Sequence, residues 1–466
     1  MTENPRRARA RTQIDPGRQT AYDALRAVDD DDAYLNLVLA RLMAERGLSG
    51  RDAAFVTELA AGTARLQGSY DAVVDELAKA GAATLQPAVR TALRLGAHQI
   101  LSMRVPSHAA VGTTVELVRA SVGERPVRLV NALLRRTTER TLEEWMEQLA
   151  PDPAADLVGN LAIRYSHPRW IVEEFCRLLP GTAAVEALLA ADNVAPAVTL
   201  AVRPGLAEVE ELVAAGVHRG RWSPYAGMLA GGDPSALEAV RAGRVGVQDE
   251  GSQLVALALA EADLDGRDSR WLDLCAGPGG KAALLTGLAR ERGAILVANE
   301  RAPHRARLVT SGLQAYGPPA SVVCADGIGP AWRPGTFDRV IVDAPCSGLG
   351  ALRRRPESRW RRTAADLDTL VPLQRALLSS ALDSTRSGGV VAYITCSPHI
   401  AETREVVDAV VAARDDVHEE DARLLMPQVP DLGEGPHVQL WPHVHGTDAM
   451  FLAVLRRRPP ATAEPS

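Results

Sequence analysis

The sequence predicts a multidomain protein with an all-α N-terminal domain, a small α/β connecting region and a C-terminal α/β domain. Three observations support this fold class. The chain has 466 residues, which is too long for one ordinary hydrophobic core. Apolar residues recur at three- and four-residue spacing through roughly the first third, as in amphipathic helices. From about residue 245, apolar strands alternate with amphipathic helices, which is typical of a parallel sheet covered on both faces.

The N-terminal third contains a series of helical segments separated by Gly or Pro, such as "DAAFVTELAAGTARLQ" and "PAVRTALRLGAHQILSM". We expect a helical domain over residues 18–148, preceded by a flexible basic tail at 1–17. Residues 149–240 begin with the break "PDPAAD" and mix helix-like stretches with the strand-like "AVTLAVRP". They are interpreted as a connecting α/β region. The C-terminal domain is predicted over 241–458, with a flexible tail at 459–466.

Composition and charge narrow the class of protein. Hydrophobic residues make up 46% and charged residues 24%, with no apolar run long enough to span a bilayer. The basic N-terminus is not followed by an apolar segment, so no secretory signal is predicted and we expect a cytoplasmic protein. The five cysteines are too few for a disulfide framework. A net charge of -6 argues against a uniformly basic nucleic-acid binder, although the cluster "LRRRPESRWRR" could contact phosphates locally.

The motif "DLCAGPGGK", Asp273 to Lys281, follows the first strong strand candidate and opens a helix. Gly277, Gly279 and Gly280 allow a tight turn and a close approach of the backbone to a ligand. The motif lacks the spacing of a P-loop and of a strict G-x-G-x-x-G. A nucleoside-like ligand without a pyrophosphate fits better, and S-adenosylmethionine is such a ligand. A plain tight turn between strand and helix is the alternative.

Carboxylates close the next three strand candidates. Glu300 closes the second strand, 20 positions after Gly280, near where a doubly wound fold binds ribose hydroxyls. Asp326 closes the third strand in "CADG", and Asp343 closes the fourth in "VDAPC". Since the carboxyl ends of parallel strands meet at one edge of the sheet, these residues are predicted to surround a single crevice.

Two cysteines lie at predicted strand ends. Cys346 follows the fourth strand in "DAPCSGLG", and Cys396 ends the fifth in "YITCSPHI". Either one alone is more often a buried packing residue, but adjacent parallel strands would bring both to one rim. No His cluster accompanies them, so no metal site is predicted. A nucleophilic thiol suits methylation of a pyrimidine at C5, because thiolate addition to C6 makes C5 nucleophilic.

At these blocks the chain resembles the RNA cytosine-C5 methyltransferase family. The matching blocks are "VGVQDEGSQL", "DLCAGPGGK", "CADG", "DAPCSGLG", "TCSP" followed by Glu402, and "DAMFLAVLRR". The resemblance implies a Rossmann-like class I methyltransferase domain. It also implies that Cys396 is the nucleophile, that Cys346 assists proton removal and release, and that Asp343 binds the target base. The cofactor S-adenosylmethionine would contact Cys275, Ala276, Gly277, Pro278, Gly279, Gly280, Lys281, Glu300, Asp326 and Asp343.

The helical domain resembles NusB through "RDAAFVTELAAGTAR", "LRLGAHQIL" and "VNALLRR". A NusB-like RNA-binding domain fused to such a catalytic domain is the architecture of bacterial 16S rRNA methyltransferases. The resemblance therefore implies an enzyme acting on 16S rRNA. We expect a monomer in which the arginine cluster near 353–362 and the helical domain hold the RNA backbone. Three alternatives stay open: a tRNA or 23S rRNA target, methylation of an exocyclic amine, and a non-catalytic RNA-binding factor.

Overall fold

The computed structural model describes residues 14–31, 33–78, 81–318 and 321–458. The chain divides into two compact units. The first comprises residues up to Glu173 together with the later segment Arg355–Arg361, and the second comprises Glu174–Arg354 and the residues from Arg362 onward. The predicted tail at 459–466 and most of the tail at 1–17 lie outside the described residues.

The first unit is entirely helical in its described residues. Its long helices pack their apolar faces into one core that includes Leu59, Leu93, Leu117 and Trp145. The helices are α1 (Pro16–Asp31), α2 (Leu35–Glu45), α3 (Gly50–Arg65), α4 (Gln67–Leu77), α5 (Pro87–Leu101), α6 (Ser107–Ser121), α7 (Val127–Thr137), α8 (Leu142–Leu149), α9 (Leu157–Arg164), α10 (Arg169–Leu178, which continues into the second unit) and, later in the chain, α17 (Ser358–Arg361).

Within the second unit a small antiparallel sheet precedes the main sheet. Its strands are β1 (Val198–Val202), β2 (His218–Arg219), β3 (Ala226–Leu229) and β4 (Val245–Val247), in the order β2-β3-β1-β4. Helices α11 (Gly181–Asp192), α12 (Val209–Ala214) and α13 (Glu238–Arg241) accompany it. Buried aliphatic side chains, among them Leu200 and Leu212, form a separate small core here.

The main sheet has the order β10-β12-β9-β8-β5-β6-β7 in the described residues, with β11 paired to β12. The run from β9 to β7 is parallel, and β12 is antiparallel to β9. The strands are β5 (Arg270–Asp273), β6 (Ile295–Asn299), β7 (Ser321–Val323), β8 (Phe337–Asp343), β9 (Thr385–Thr395), β10 (Val417–Glu420), β11 (Val438–Gln439) and β12 (Phe451–Arg457). The helices are α14 (Glu250–Glu261), α15 (Gly280–Glu291), α16 (Pro303–Leu313), α18 (Leu367–Ser384), α19 (Arg404–Ala412) and α20 (Pro442–His445).

Side-chain alternation along the central strands explains why helices cover both faces of this sheet. In β8, Val340 and Val342 belong to the core under α18 and α19, whereas Ile341 faces the core under α14 and α15. The same alternation separates Tyr393 from Ile394 in β9. Because successive residues of a strand point to opposite faces, an apolar run of this kind requires cover on both sides. The predicted fold class is confirmed.

The strand order changes direction beside β5. The chain runs from β5 to β6 and β7 on one side and then returns to β8 on the other. In open α/β sheets such a switch point leaves a crevice at the carboxyl ends of the two strands. Asp273 ends β5 and Asp343 ends β8, so both residues lie at this crevice.

Candidate active site

Two positions of the loop after β5 favour glycine. Gly279 precedes α15 with φ of 117°, in the left-handed region that disfavours other residues. A Cβ added to Gly277 would lie 2.0 Å from Glu300 Oε2, so even a methyl group would collide with the carboxylate. Gly277 and Gly279 are buried within the loop, whereas Pro278 and Gly280 are exposed at the switch point.

Glu300 binds this loop directly. Its Oε2 accepts a hydrogen bond from the Gly277 N–H at 3.1 Å, and its Oε1 accepts one from the Ala302 N–H at 2.8 Å. The Arg305 side chain donates to the Gly277 carbonyl, and its Nε lies 3.6 Å from Glu300 Oε2. An ionised carboxylate offers about four acceptor positions, so Glu300 can still accept from two ribose hydroxyls while it holds the loop.

The other residues of the loop differ in exposure. Cys275 is half-buried, and its N–H lies 3.3 Å from Asp273 Oδ1. Burial raises the pKa of the Cys275 thiol well above its ordinary value. The Ala276 N–H donates to the Asn299 carbonyl at 2.8 Å, which fixes the loop to the end of β6. Pro278 is exposed and follows a cis peptide bond.

Lys281, in the first turn of α15, forms an ion pair with Asp343. Its Nζ lies 2.8 Å from Asp343 Oδ2, and the lysine is 9% exposed. Burial alone would lower the pKa of Lys281, but the Asp343 carboxylate raises it, and a negative charge on Cys396 contributes in the same direction. The ammonium group therefore links the two predicted catalytic residues Asp343 and Cys396 electrostatically.

Asp273 is a buried acid beside this ion pair. It is 1% exposed, and its Oδ2 is without a hydrogen-bond partner. Burial, together with the charge of Asp343, raises the pKa of Asp273 to about 7. At neutral pH this carboxyl group is therefore protonated in a large fraction of the molecules, and it can donate as well as accept a hydrogen bond.

The two predicted catalytic cysteines are in contact. Cys346 Sγ and Cys396 Sγ are 3.4 Å apart, and both residues are thiols of intermediate exposure. The parallel pairing of β8 with β9 sets Asp343 opposite Ile394, so the chain leaves both strands at the same edge. The hydrogen bond to Cys396 and then burial raise the pKa of Cys346 well above its ordinary value.

A buried carboxylate joins the two cysteine loops. Glu402 is fully buried, and its Oε1 accepts from the Ser347 N–H at 2.7 Å and from Gln374 Nε2 at 3.0 Å. Its Oε2 accepts a short hydrogen bond from the Ser347 hydroxyl, which also lies 3.0 Å from Ser397 Oγ. Ser347 and Ser397 directly follow Cys346 and Cys396, so this network fixes the position of one thiol relative to the other.

Gly350 provides a second connection between the cysteine loops. Its N–H donates to the Cys396 carbonyl at 2.9 Å, and its carbonyl accepts from the Ala449 N–H at 2.9 Å. A Cβ at this position would lie 2.0 Å from the Ala449 carbonyl oxygen. The second glycine of "CSGLG" is therefore required for close backbone contact.

Asp326 lies at the margin of the predicted cofactor site. Strand β7 ends at Val323, three residues earlier, so Asp326 is in the following loop with a side chain that is 49% exposed. Its Oδ1 accepts from the Ile328 N–H at 3.1 Å, and its Oδ2 lies 3.8 Å from Arg301 Nε. Asp326 thus lies near Arg301, the residue after Glu300. Neither of these contacts is with the glycine loop.

The expectation that the arginine cluster holds RNA is wrong for four of its six members. Arg353 and Arg354 both form ion pairs with the buried residues Asp249 and Asp448, at distances of 2.5–3.1 Å. Asp249 precedes α14, and Asp448 lies before β12, so these arginines hold segments of the second unit together. A guanidinium group already neutralised by buried carboxylates does not present a free charge to phosphate.

The other two structural arginines belong to the helical unit. Arg359 is fully buried and donates to the carbonyls of Arg65 and Ser166 at 3.0 and 3.1 Å. Arg361 donates to the carbonyls of Val28 and Ala33. Their backbone carbonyl partners and the burial of Arg359 distinguish them from RNA-binding arginines, and the sequence pattern encodes neither.

Several residues of the site were not predicted from the sequence. Arg305 and Asn299 have no distinctive sequence signal, whereas Gln374 does. It lies on the apolar face of α18 three residues before Leu377, and a polar side chain at such a position indicates a buried hydrogen-bonding role. Asp273 is the first residue of the motif "DLCAGPGGK". A carboxylic acid at the end of an apolar strand was the sequence signal that could have identified it as a site residue.

Comparison with known proteins defines the family. Residues 257–456 match the model of the family described as 16S rRNA methyltransferase RsmB/F, and residues 16–139 match the NusB family. A ribosomal RNA small subunit methyltransferase B from Pseudomonas syringae pv. tomato is 30% identical over 94% of this chain and 96% of its own length. The chain belongs to the RsmB/F family of methyltransferases.

A further sequence relative and two solved structures are also similar to this chain. A Mycobacterium tuberculosis (strain H37Rv) protein with a methyltransferase name is 51% identical over 98% of this chain and all of its own length. The crystal structure of PH0851 superposes with a TM-score of 0.79 at 20% identity, covering 96% of this chain and 99% of that one. The crystal structure of NSun6 from Pyrococcus horikoshii with SFG superposes with a TM-score of 0.53 at 18% identity, covering 63% of this chain and 98% of that one.

As an RsmB/F family member, the protein is an S-adenosylmethionine-dependent methyltransferase with an RNA substrate. Its NusB-like helical part and its Rossmann-like catalytic part were both predicted from the sequence, and both are confirmed. In the described residues, no helix combines the length and the apolar character needed to cross a membrane.

Proposed function

We propose that the protein methylates C5 of a cytosine in 16S rRNA, in the cytoplasm, through a covalent adduct between Cys396 and C6 of the base. The observation that carries this proposal is the 3.4 Å separation of two thiols beside the Lys281–Asp343 ion pair. A methyl transfer to an exocyclic amine requires no thiol, whereas a transfer to C5 requires one thiol to add and a base to remove the C5 proton.

The two thiols are suited to different steps. The ammonium of Lys281 favours negative charge on Cys396, which adds to C6 and displaces the C5=C6 electron pair toward C5. Asp343, whose side chain is 30% exposed, is the residue that we expect to hydrogen-bond the N3 side of the ring. When bound, S-adenosylmethionine supplies an electrophilic methyl group to C5.

Product release requires the second thiol. While Cys396 is a thiolate, its hydrogen bond and its charge keep the proton on Cys346. Formation of the C6–S bond removes that charge, so Cys346 can release its proton to solvent and the resulting thiolate can accept the C5 proton. The C5–H electron pair then restores the C5=C6 double bond, and the C6–S bond breaks to return the Cys396 thiolate.

The residues of the glycine loop fit this cofactor. Pro278 and Gly280 of the loop are exposed at the switch point. Glu300 is 6% exposed and keeps unfilled acceptor positions for ribose hydroxyls. Gly277, Gly279 and Glu300 are the residues that we expect to hold the nucleoside, while Lys281 orients Asp343.

The test is transfer of a labelled methyl group to rRNA by cysteine variants, followed by denaturing electrophoresis. Cys396→Ala should abolish transfer, Cys346→Ala should accumulate protein covalently bound to RNA, and the exposed Cys324→Ala should behave as wild type. Release of free product at the normal rate by Cys346→Ala would contradict the assigned roles. Bisulfite sequencing of 16S, 23S and transfer RNA from a deletion strain identifies the target, and loss of a cytosine mark outside 16S rRNA would overturn the choice of substrate.

A further inference from the structure

A cavity of about 250 Å³ lies within the helical unit. Its walls come from α1, α3, α4, α5 and the segment Arg355–Arg361. At about 30 Å³ per water molecule, it has room for roughly eight waters. That is just below the range of drug-sized ligand pockets, which begins at about 300 Å³. The size therefore suits one planar ring system rather than a whole nucleotide.

The cavity has an apolar side and an accessible opening. Leu25, Val28 and Ala64 provide buried apolar surface. Asp29 is exposed, and Gln67 is half-buried, so the cavity opens to solvent along α1 and the start of α4. A ligand can enter there without displacing the helices.

Three polar atoms of cavity-lining residues are buried and lack a hydrogen-bond partner. Glu357 is 2% exposed; its Oε1 accepts from the Leu35 N–H at 3.2 Å, but its Oε2 has no partner. The N–H donors Trp360 Nε1 and Arg90 Nε are also buried and have no hydrogen-bond partner. Buried polar atoms are almost always paired in folded proteins, so such a set at one cavity indicates a ligand that supplies the partners.

The unpartnered set consists of one acceptor and two donors. A matching ligand offers one donor and two acceptors on a small, flat and otherwise apolar body. The hydrogen-bonding edges of cytosine and uracil have this composition, and carboxylates accept from the cytosine amino group in known complexes. A phosphate group could pair with Arg90 in the lining, but it offers no donor to Glu357 Oε2 and would bring its negative charge against that carboxylate.

The ring of Trp360 is held in a fixed position at this cavity. A Cβ on Gly68 would lie 2.4 Å from the indole, so the ring packs directly on the α4 backbone. Arg94, at the buried end, is already paired with Asp71 through two bonds of 2.6 and 2.7 Å. The indole ring is therefore held by its contact with α4, and the Glu357 carboxylate is held by the Leu35 N–H.

We infer that this cavity, lined by Glu357, Trp360 and Arg90, binds one unpaired pyrimidine base of the RNA substrate. The inference rests on the proposed function only in taking RNA as the ligand. Such a site would capture a base outside the catalytic centre, as single-stranded segments are read by insertion of splayed bases into protein pockets.

Binding of single-stranded twelve-nucleotide probes to the full-length protein tests this assignment. We expect oligocytidine or oligouridine to bind at least tenfold more tightly than oligoadenosine, as measured by fluorescence anisotropy. Glu357→Gln turns the unpartnered acceptor into a donor, and Trp360→Phe removes the indole N–H together with part of the ring. Each should weaken pyrimidine binding about tenfold, whereas Glu76→Gln on the exposed face of α4 should leave it unchanged.

Photocross-linking with a 5-iodopyrimidine probe locates the bound base independently of affinity. Attachment within the cavity-lining residues supports the assignment. Equal binding of all probes, or attachment elsewhere, would mean that the cavity holds water only. If Glu357→Gln does not fold, as judged by circular dichroism, Trp360→Phe decides the matter.

Methyl transfer by the same variants separates this inference from the proposed function. With rRNA as substrate, an intact catalytic centre predicts a raised KM and an unchanged kcat for Trp360→Phe. Absence of methyl transfer by the wild-type protein would refute the proposed function, while base-selective cross-linking to the cavity would still establish the pyrimidine site.

Discussion

Replacement of Glu402 tests how the two thiols are held in register. In Glu402→Ala, Ser347 loses two hydrogen bonds, one from its N–H and one from its hydroxyl. Ser347 is 3% exposed, so water does not replace the acceptor. At about 1.5–3 kcal/mol for a hydrogen bond to a charged group, the loss is about 3–6 kcal/mol. Gln374 keeps a partner, because it also donates to the Pro345 carbonyl at 2.8 Å.

Glu402→Gln provides a graded comparison. The amide keeps the side-chain length and one acceptor oxygen, but its NH2 group replaces the other acceptor, so the Ser347 hydroxyl must turn to accept instead of donate. We expect a smaller loss than in Glu402→Ala, about 1–3 kcal/mol. Glu405→Ala, an exposed acid three residues later, should change stability by less than about 0.5 kcal/mol. Denaturant unfolding of the full-length variants measures all three.

The activity of the Glu402 variants gives a second measure. If the carboxylate positions Cys346, Glu402→Ala should slow adduct resolution more than adduct formation and should accumulate the covalent RNA complex under conditions where the protein is folded. An unfolding free energy within about 1 kcal/mol of wild type, together with normal adduct turnover, would refute the role assigned to this network.

Three further predictions concern other parts of the structure. Gly277→Ala should weaken cofactor binding at least tenfold in calorimetry while leaving the circular dichroism spectrum unchanged, because the new methyl group collides with Glu300; unaltered affinity would contradict the fit. Asp273→Asn should gain stability relative to wild type as the pH rises from 4 to 7. In the unfolded wild-type protein the Asp273 carboxyl ionises near its ordinary pKa, whereas in the folded protein, with a pKa of about 7, it keeps its proton. This difference costs the wild-type protein on the order of 4 kcal/mol of stability above pH 7, and the variant does not have this cost. A pH-independent difference in denaturation would refute this. Arg359→Met should destabilise the helical unit by about 2–4 kcal/mol in thermal unfolding, since two buried carbonyls lose their donor; an effect as small as that of exposed Arg355→Met would contradict it.

The predictable parts of the molecule depend on short-range patterns. The glycine-rich turn, the acid after the next strand and the cysteines at strand ends all follow from local sequence and from the geometry of parallel sheets. Because β8 and β9 are neighbours, the rule that ligands bind at carboxyl ends was sufficient to bring Cys346 and Cys396 together.

The unpredicted parts depend on distant partners. Whether Arg353 faces phosphate or carboxylate is decided by Asp249 and Asp448, which are 104 and 95 residues away in the chain. No periodicity or spacing connects residues so far apart. The Glu402 network poses a similar problem, because the partners of a buried acid are set by how the loops pack and not by its neighbours in sequence.

The segment Arg355–Arg361 determines when, during synthesis, the helical unit can complete its fold. The helical unit comprises residues up to Glu173, yet Glu357 and Arg359 complete its buried hydrogen bonds. Synthesis at about 5–20 residues per second leaves roughly 10–40 s between these two stretches. During this interval the nascent helical unit exposes the carbonyl groups of Arg65 and Ser166 to water, so its final stability is acquired only when most of the catalytic sequence has been translated.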